Sequence, residues 1–240
     1  MGADQNHDWQ ATIASALEWW RDAGVDCAIE DAPRDWLARV APAAVPAAVR
    51  EAAPEAAPLP TTLEEFAAWR TGPAAPEAGW SGPALGAQGD AASGLMIVTD
   101  MPDRDDEAAG QLLAGNAGKL FDRMLAAIGR DRSSIYLASL AVKRPPAGRV
   151  APEASDALDA LLRHHVALAR PKRLLLLGNA ASRAITGVDV PDARGNLRLV
   201  NHDGGTVAAV ASFHPRFLLE RPAAKADAWR DLRILIGGLE

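Results

Sequence analysis

A chain of 240 residues, 49% of them apolar, has enough hydrophobic surface to bury the core of one ordinary globular domain with appendages. No charge-free apolar run approaches the roughly 18 residues that a membrane span needs, and the start Met1-Gly-Ala-Asp-Gln-Asn-His-Asp lacks the basic residues and apolar stretch of a secretory signal, so a soluble, cytoplasmic protein without a membrane partner is expected. The net charge of −6 argues against nucleic acid if taken alone, and the single cysteine, Cys27, excludes an internal disulfide and any four-cysteine metal centre drawn from this sequence.

The first predicted element is an amphipathic helix from Trp9 to Ala23, with Trp9, Ile13, Ala16, Leu17 and Trp20 recurring at three and four residues and Gly24 placed to end it. Asp35-Trp-Leu-Ala-Arg-Val extends the pattern briefly, which gives an N-terminal helical extension over residues 1–40. Residues 41–60 form an Ala/Pro/Glu tract with too much proline for a helix and too little apolar surface for a core, hence a linker. Residues 61–94 lead into the core: Thr61 or Thr62 precedes Glu64 and Glu65 in capping-box style, Leu63, Phe66 and Trp69 make an apolar stripe, and 72–94 reads as a Gly/Pro/Ala loop.

From Leu95 onward, short apolar runs alternate with helical patterns, the signature of a parallel sheet covered by helices. Strands are predicted at Leu95–Thr99, Ser134–Ala138, Arg173–Leu177 and Val207–Ala211, with a hairpin from Leu197–Val200 through Asp203-Gly204-Gly205. Helices are predicted at Gly115–Ile128, Glu153–Ala169, Ala180–Thr186 and Ala223–Ile236. The expected fold of residues 95–240 is therefore a three-layer α/β/α sandwich with a mostly parallel central sheet. Charge divides along the same line, residues 1–94 summing to −9 and residues 95–240 to +3. A binding face for DNA needs only a local positive groove, and the sandwich is the part able to supply one.

Several motifs follow one another in this region. Leu95-Met-Ile-Val-Thr-Asp-Met-Pro comes first, then Gly115-Asn-Ala-Gly-Lys-Leu-Phe-Asp-Arg-Met-Leu-Ala-Ala-Ile-Gly129, Ile135-Tyr-Leu-Ala-Ser, Arg144-Pro-Pro, Arg170-Pro-Lys, Leu177-Gly-Asn-Ala-Ala and finally Ala211-Ser-Phe-His-Pro-Arg-Phe-Leu-Leu. In this order they resemble the uracil-DNA glycosylases of family 4, the iron–sulfur type, over roughly residues 95–235. That resemblance implies excision of uracil or another deaminated base from DNA by hydrolysis of its N-glycosidic bond, with DNA as partner. Such enzymes flip the nucleotide out of the stack, read its edge, and stabilise positive charge on the sugar and negative charge on the departing base. In a doubly wound sheet those groups sit beyond the carboxyl ends of the strands, where Asp100, Ser139 and His214 fall.

The resemblance assigns roles residue by residue. Asp100 stands at the glutamate that organises the attacking water, one methylene shorter, and His214 at the histidine that donates toward the uracil carbonyl. Met101 and Pro102 belong to the base pocket. Leu113 stands where a phenylalanine stacks on the base and Ser139 where an asparagine reads its edge, so both contacts are weaker than the pattern requires. Asn179, after a strand and opening a helix, falls where the family approaches DNA phosphate, and a plain strand-to-helix turn explains it equally well. Pro215, Arg216, Phe217 and Leu218 form the loop that enters the minor groove, with Phe217 or Leu218 as wedge and Arg216 near phosphate; covering the next helix explains Phe217 and Leu218 nearly as well.

The family's cluster needs four cysteines, and here Lys143 and Leu158 occupy two of those positions while the segment before Leu95 contains none of the remaining ligands. The cluster is expected to be absent, with Leu158 filling its space. Adjacent His164 and His165 point in different directions on a helix and make a poor metal pair, so no metal is expected. Asp105 to Glu107 read as a solvated acidic loop beside Asp103. Two functions follow: a glycosylase of weak activity, or a lapsed glycosylase fold serving as a DNA- or protein-binding module, with Trp19 and Trp20 of the first helix offered to a protein partner.

Overall fold

The computed structural model describes residues 9–24 and 58–237, apart from positions 147, 149 and 203. The predicted extension at Asp35, most of the 41–60 linker, Cys27 and the Asp203 turn position lie outside the described residues. The chain divides into two compact units, 1–56 and 57–240. In the first, helix α1 (Trp9–Asp22) forms over the predicted segment, and its Ile13, Leu17, Trp19 and Trp20 are exposed.

The second unit is built on strands β1 (Gln88–Gly89), β2 (Leu95–Thr99), β3 (Tyr136–Ser139), β4 (Arg173–Leu177), β5 (Arg198–His202) and β6 (Gly205–Ser212). They form one sheet in the order β1-β3-β2-β4-β6-β5, in which β3, β2, β4 and β6 are parallel and the short β1 and the outer β5 pair antiparallel at the two edges. Helices α2 (Leu63–Thr71), α3 (Arg104–Ala109), α4 (Gly115–Ala127), α5 (Pro152–Ala169), α6 (Asn179–Thr186), α7 (Val190–Ala193), α8 (Pro215–Glu220) and α9 (Lys225–Ile236) surround it.

The run Leu-Met-Ile-Val-Thr in β2 is buried at every position, as a strand covered on both faces must be. Side chains alternate across the pleat, so Met96 and Val98 join Leu158, Leu162 and Val166 of α5 with Ala181, Ala184 and Ile185 of α6. Leu95 and Ile97 point the other way, onto Phe121 and Leu125 of α4 and Leu232 and Leu235 of α9. The result is the expected three-layer α/β/α sandwich.

Three local readings need correction. The 72–94 stretch is not wholly loop: Gln88 and Gly89 pair with Leu137 and Tyr136, and a 3-10 turn covers Ala91–Ser93. A two-residue strand has too little pattern to be seen in sequence. The acidic stretch at 105–107 is helical, in α3, and Asp106 is buried rather than solvated. Its Oδ2 accepts the Asp103 N–H at 3.0 Å and its Oδ1 the Ala114 N–H at 2.6 Å, which satisfies two backbone donors beside the positive end of the helix. The segment after His214 is also helical, as α8, where the sequence reading has a loop.

The segment before the sheet is tied to the loop after β3 by buried charge. Arg70 donates to Glu77 and, through Nη2, to the Leu140 carbonyl at 2.7 Å, while Glu77 Oε1 accepts the Val142 N–H at 3.2 Å. Both side chains are almost fully buried. On α5, His164 bonds the Pro60 carbonyl at 2.8 Å and His165 the Tyr136 hydroxyl at 2.9 Å, so the adjacent histidines face different partners.

Removing one member of a buried pair strands the other charge, which typically costs about 3–5 kcal/mol. Glu77→Leu is therefore expected to lose about that much stability in urea denaturation, and Arg70→Met/Glu77→Leu less than the single change, because no lone guanidinium is left inside. Costs that simply add would show that the two groups do not act as a pair.

Candidate active site

Asp100 leaves the end of β2 and turns toward the start of α6, where its Oδ1 accepts the Ala181 N–H at 2.9 Å. Gly178, with φ +103°, lies beneath it; a Cβ there would come within 2.5 Å of Asp100 Oδ2, so the sequence Leu177-Gly-Asn leaves room for this carboxylate. Burial raises the Asp100 pKa above the ordinary carboxylate value, against the opposing pull of the Ala181 amide and of Arg216.

His214 follows β6 and caps α8. Its Nδ1 accepts the Arg216 N–H at 3.1 Å, which leaves the ring proton on Nε2, and Nε2–H donates to Thr99 Oγ1 at 2.9 Å. Burial, reinforced by the Arg216 guanidinium, pushes the His214 pKa down to about 4. The ring is thus a neutral donor at pH 7, a state suited to supporting an anion without being one half of an ion pair.

Asp100 and His214 share a cavity of about 310 Å³, together with Asn179, Arg216, Phe217 and the unpredicted Phe213. It opens beyond the carboxyl ends of β2, β4 and β6, beside the point where successive connections leave β2 and β4 toward opposite edges of the sheet. Asn179 Oδ1 accepts the Val190 N–H at 3.0 Å, so its amide nitrogen remains the free end.

The remaining predicted pocket residues do not line this cavity. Leu113 is buried among Leu112, Phe121 and Leu125 on the α4 side of the sheet, with φ +51° and its carbonyl held by Arg132. A left-handed backbone turn, invisible in the hydrophobic pattern, directs it into the core. Ser139 pairs in register with Thr99, but its buried hydroxyl has no partner among the described residues and faces a separate narrow cleft with Arg70 and His165. Pro102 is buried, and Met101 packs half-buried against the α5 and α6 side of the core. Of the residues that the resemblance assigns to the base and its water, this cavity brings together Asp100 and His214 and not Met101, Pro102, Leu113 or Ser139.

Pro215 and Leu218 of α8 are buried, which removes Leu218 as an exposed wedge and leaves Phe217, which lines the cavity. Phe217 stacks on Phe213 with centroids 4.9 Å apart; Arg194 lies over the Phe213 ring at 5.2 Å and Arg221 over Phe217 at 5.9 Å. Thr99 and Phe213 were missed because a threonine ending a strand and an aromatic just before a helix carry ordinary structural explanations.

The residues at the family's cluster positions do not fit an iron–sulfur group. Lys143 Nζ donates to the carbonyls of Ala78 and Trp80 at 3.0 and 3.2 Å, Leu158 is buried in the core, and the facing segment presents Arg70 and Glu77. Neither an ammonium nor a guanidinium has a lone pair for iron. Among the described residues no group of three His, Cys, Asp or Glu side chains is gathered as for a metal ion.

Comparison with known proteins places this geometry. A family model described as the uracil DNA glycosylase superfamily matches residues 87–233, more than half of the chain. A protein of Pyrobaculum aerophilum named type-4 uracil-DNA glycosylase is 25% identical over 162 residues, 65% of this chain and 83% of that protein. One of the same name from Archaeoglobus fulgidus is 28% identical over 146 residues, 58% of this chain and 73% of that protein.

A proton titration of His214 followed by NMR is expected to show a midpoint about 4 with the Nε2–H tautomer at neutral pH. Its folded pKa lies below the unfolded value of about 6.5, so the unfolded chain takes up the proton first. The stability that His214 contributes is complete above about pH 6.5 and is lost as pH falls toward 4. A midpoint near 6.5 would contradict the buried, neutral assignment.

Proposed function

The chain belongs to the uracil DNA glycosylase superfamily, and we propose that it hydrolyses the N-glycosidic bond of uracil or another deaminated base in DNA, a step of base excision repair. The observation that carries this reading is the pairing, on one cavity, of a buried carboxylate with a neutral imidazole whose remaining proton is on Nε2. Asp100 orients water toward C1′ and opposes the positive charge that grows on the sugar. The bond to the base breaks with its electron pair leaving on the base, and His214 Nε2–H donates to the base oxygen on which that charge collects. Water supplies hydroxyl to C1′ and gives its proton to Asp100, whose burial favours uptake, and then to solvent.

In the free protein the same N–H is held by Thr99. A bound base must replace a neutral hydroxyl as acceptor, and an anionic oxygen does so far better than a ground-state carbonyl because charge-assisted hydrogen bonds are roughly twice as strong. The exchange therefore favours the transition state over the bound substrate. The shorter carboxylate of aspartate sets the water back by on the order of 1 Å relative to a glutamate, and errors of that size can cost about a hundredfold, so the reading is of a slow enzyme.

DNA reaches the site along the side lined by Asn179, Arg216 and Phe217, in the part of the chain that carries +3. No step passes through an iron–sulfur cluster. We propose a cytoplasmic location in keeping with action on DNA; separately, no helix among the described residues is long and apolar enough to cross a membrane. The rival reading, a lapsed fold that only binds, is not the one that the family match favours.

The test is release of uracil from single- and double-stranded oligonucleotides. The natural protein is expected to excise, and His214→Ala and Asp100→Asn each to lose about a hundredfold or more, the usual effect of deleting one donor or carboxylate at the reacting charge. Absence of excision by the natural protein, or full activity in His214→Ala, would sink the proposal.

A further inference from the structure

Asp103 is not needed for the chemistry above, yet two arginines from distant parts of the chain converge on it. Arg144, in the loop after β3, places Nη1 2.8 Å from Asp103 Oδ1 and 3.4 Å from the Pro102 carbonyl. Arg216, at the start of α8, donates through Nη1 to Asp103 Oδ2. Each guanidinium thus takes one oxygen of a single carboxylate. All three side chains are partly exposed, Asp103 by 30%, Arg144 by 27% and Arg216 by 49%, and the last of them lines the cavity of Asp100 and His214.

We propose that Arg144 and Arg216 form a seat for a DNA backbone phosphodiester next to the flipped nucleotide, and that Asp103 is an internal placeholder which the phosphate displaces. The inference rests on the glycosylase reading. A carboxylate and a phosphodiester both present two oxygens sharing one negative charge, so a pair of donors spaced for the first is also spaced for the second. Ion pairs exposed to water to this degree are weak and readily exchanged. While unoccupied by DNA the trio sums to one positive charge instead of two, which lowers attraction to undamaged DNA and holds both guanidiniums in place. Only a backbone delivered at the right distance from a base in the cavity engages both arginines together.

The placeholder makes Asp103 a specificity-determining residue, and its removal gives a gain that a structural role would not. Asp103 caps α3, and asparagine caps a helix as well as aspartate, so Asp103→Asn keeps the fold while freeing both arginines. Fluorescence anisotropy with undamaged and uracil-containing duplexes, run over a range of salt with the full chain, is the measurement. Asp103→Asn is expected to bind undamaged DNA about tenfold more tightly at low salt, with the slope of log affinity against log salt steeper by about one. Arg144→Gln is expected to cost at least fivefold more affinity in the Asp103→Asn background than in the natural protein.

Unchanged or weaker binding by Asp103→Asn would overturn the proposal, and so would equal costs of Arg144→Gln in the two backgrounds, because the gain would then come from bulk charge. If these outcomes accompany normal uracil excision, only the phosphate seat fails. If no variant binds DNA and none excises uracil, the glycosylase reading itself fails.

Discussion

His214 and Thr99 stand on strands separated by β4, so the 2.9 Å bond between Nε2 and Oγ1 reaches across the carboxyl end of the sheet. Three features of the site depend on that span. The imidazole must be neutral and protonated on Nε2, because Nδ1 is engaged by the Arg216 amide. The intervening strand must end in a residue that does not fill the gap, which Gly178 satisfies by leaving Asp100 its place against α6. The strand ends must also hold their register, and Thr99 pairs with Leu177, which in turn is followed by the Gly178 N–H on the Ser212 carbonyl. Register and charge state are thus set together, since a protonated ring could not keep the Nδ1 bond that orients it.

The electrostatics of the cavity come from burial more than from net charge. Burial moves His214 down and Asp100 up, which drives both toward their neutral forms. Arg216 lowers both, opposing burial at Asp100 and adding to it at His214, so one guanidinium favours a carboxylate beside an uncharged donor. Behind them, buried Asp231 accepts from Ser212 at 2.9 Å and from the Gly195 N–H at 3.1 Å, and holds Arg194 against the Phe213 ring. The strand end that delivers His214 is therefore anchored from α9 as well as from the sheet.

How far the sequence alone reached depends on the kind of information each residue carries. Hydrophobic runs located β2, β4 and β6 because the residues of a strand covered on both faces are mostly apolar, and α4, α5, α6 and α9 followed from their periodicity, whereas the short α3, α7 and α8 did not. Asp100 and His214 were legible because each follows such a run directly, so placing the strand places the residue. Leu113 and Ser139 were not. Leu113 lies in a connection where a single left-handed φ decides which way a side chain points, and Ser139 faces a cleft made by Arg70 and His165, which are far away in sequence. Asp106 misled for a related reason: an acid in an acidic run looks solvated until the backbone donors it satisfies are known.

The same dependence on distant partners governs the loop that supplies Arg144. Backbone groups of Leu140 and Val142 are held by Arg70 and Glu77, and Lys143 is fixed on the carbonyls of Ala78 and Trp80. Arg144 thus emerges from a stretch whose preceding residues are tied to the segment before the sheet at four points. A thiolate-bound cluster and a buried charge network are alternative means of making such a tie, and they exclude each other at one position: an ammonium at 143 satisfies carbonyls but cannot ligate iron. Hydrogen bonds also fix direction, whereas burying Leu158 alone fills volume without choosing an orientation. The arginine that reaches Asp103 is in this sense aimed by residues 70–80, so that segment belongs to the architecture of the site although none of its side chains lines the cavity.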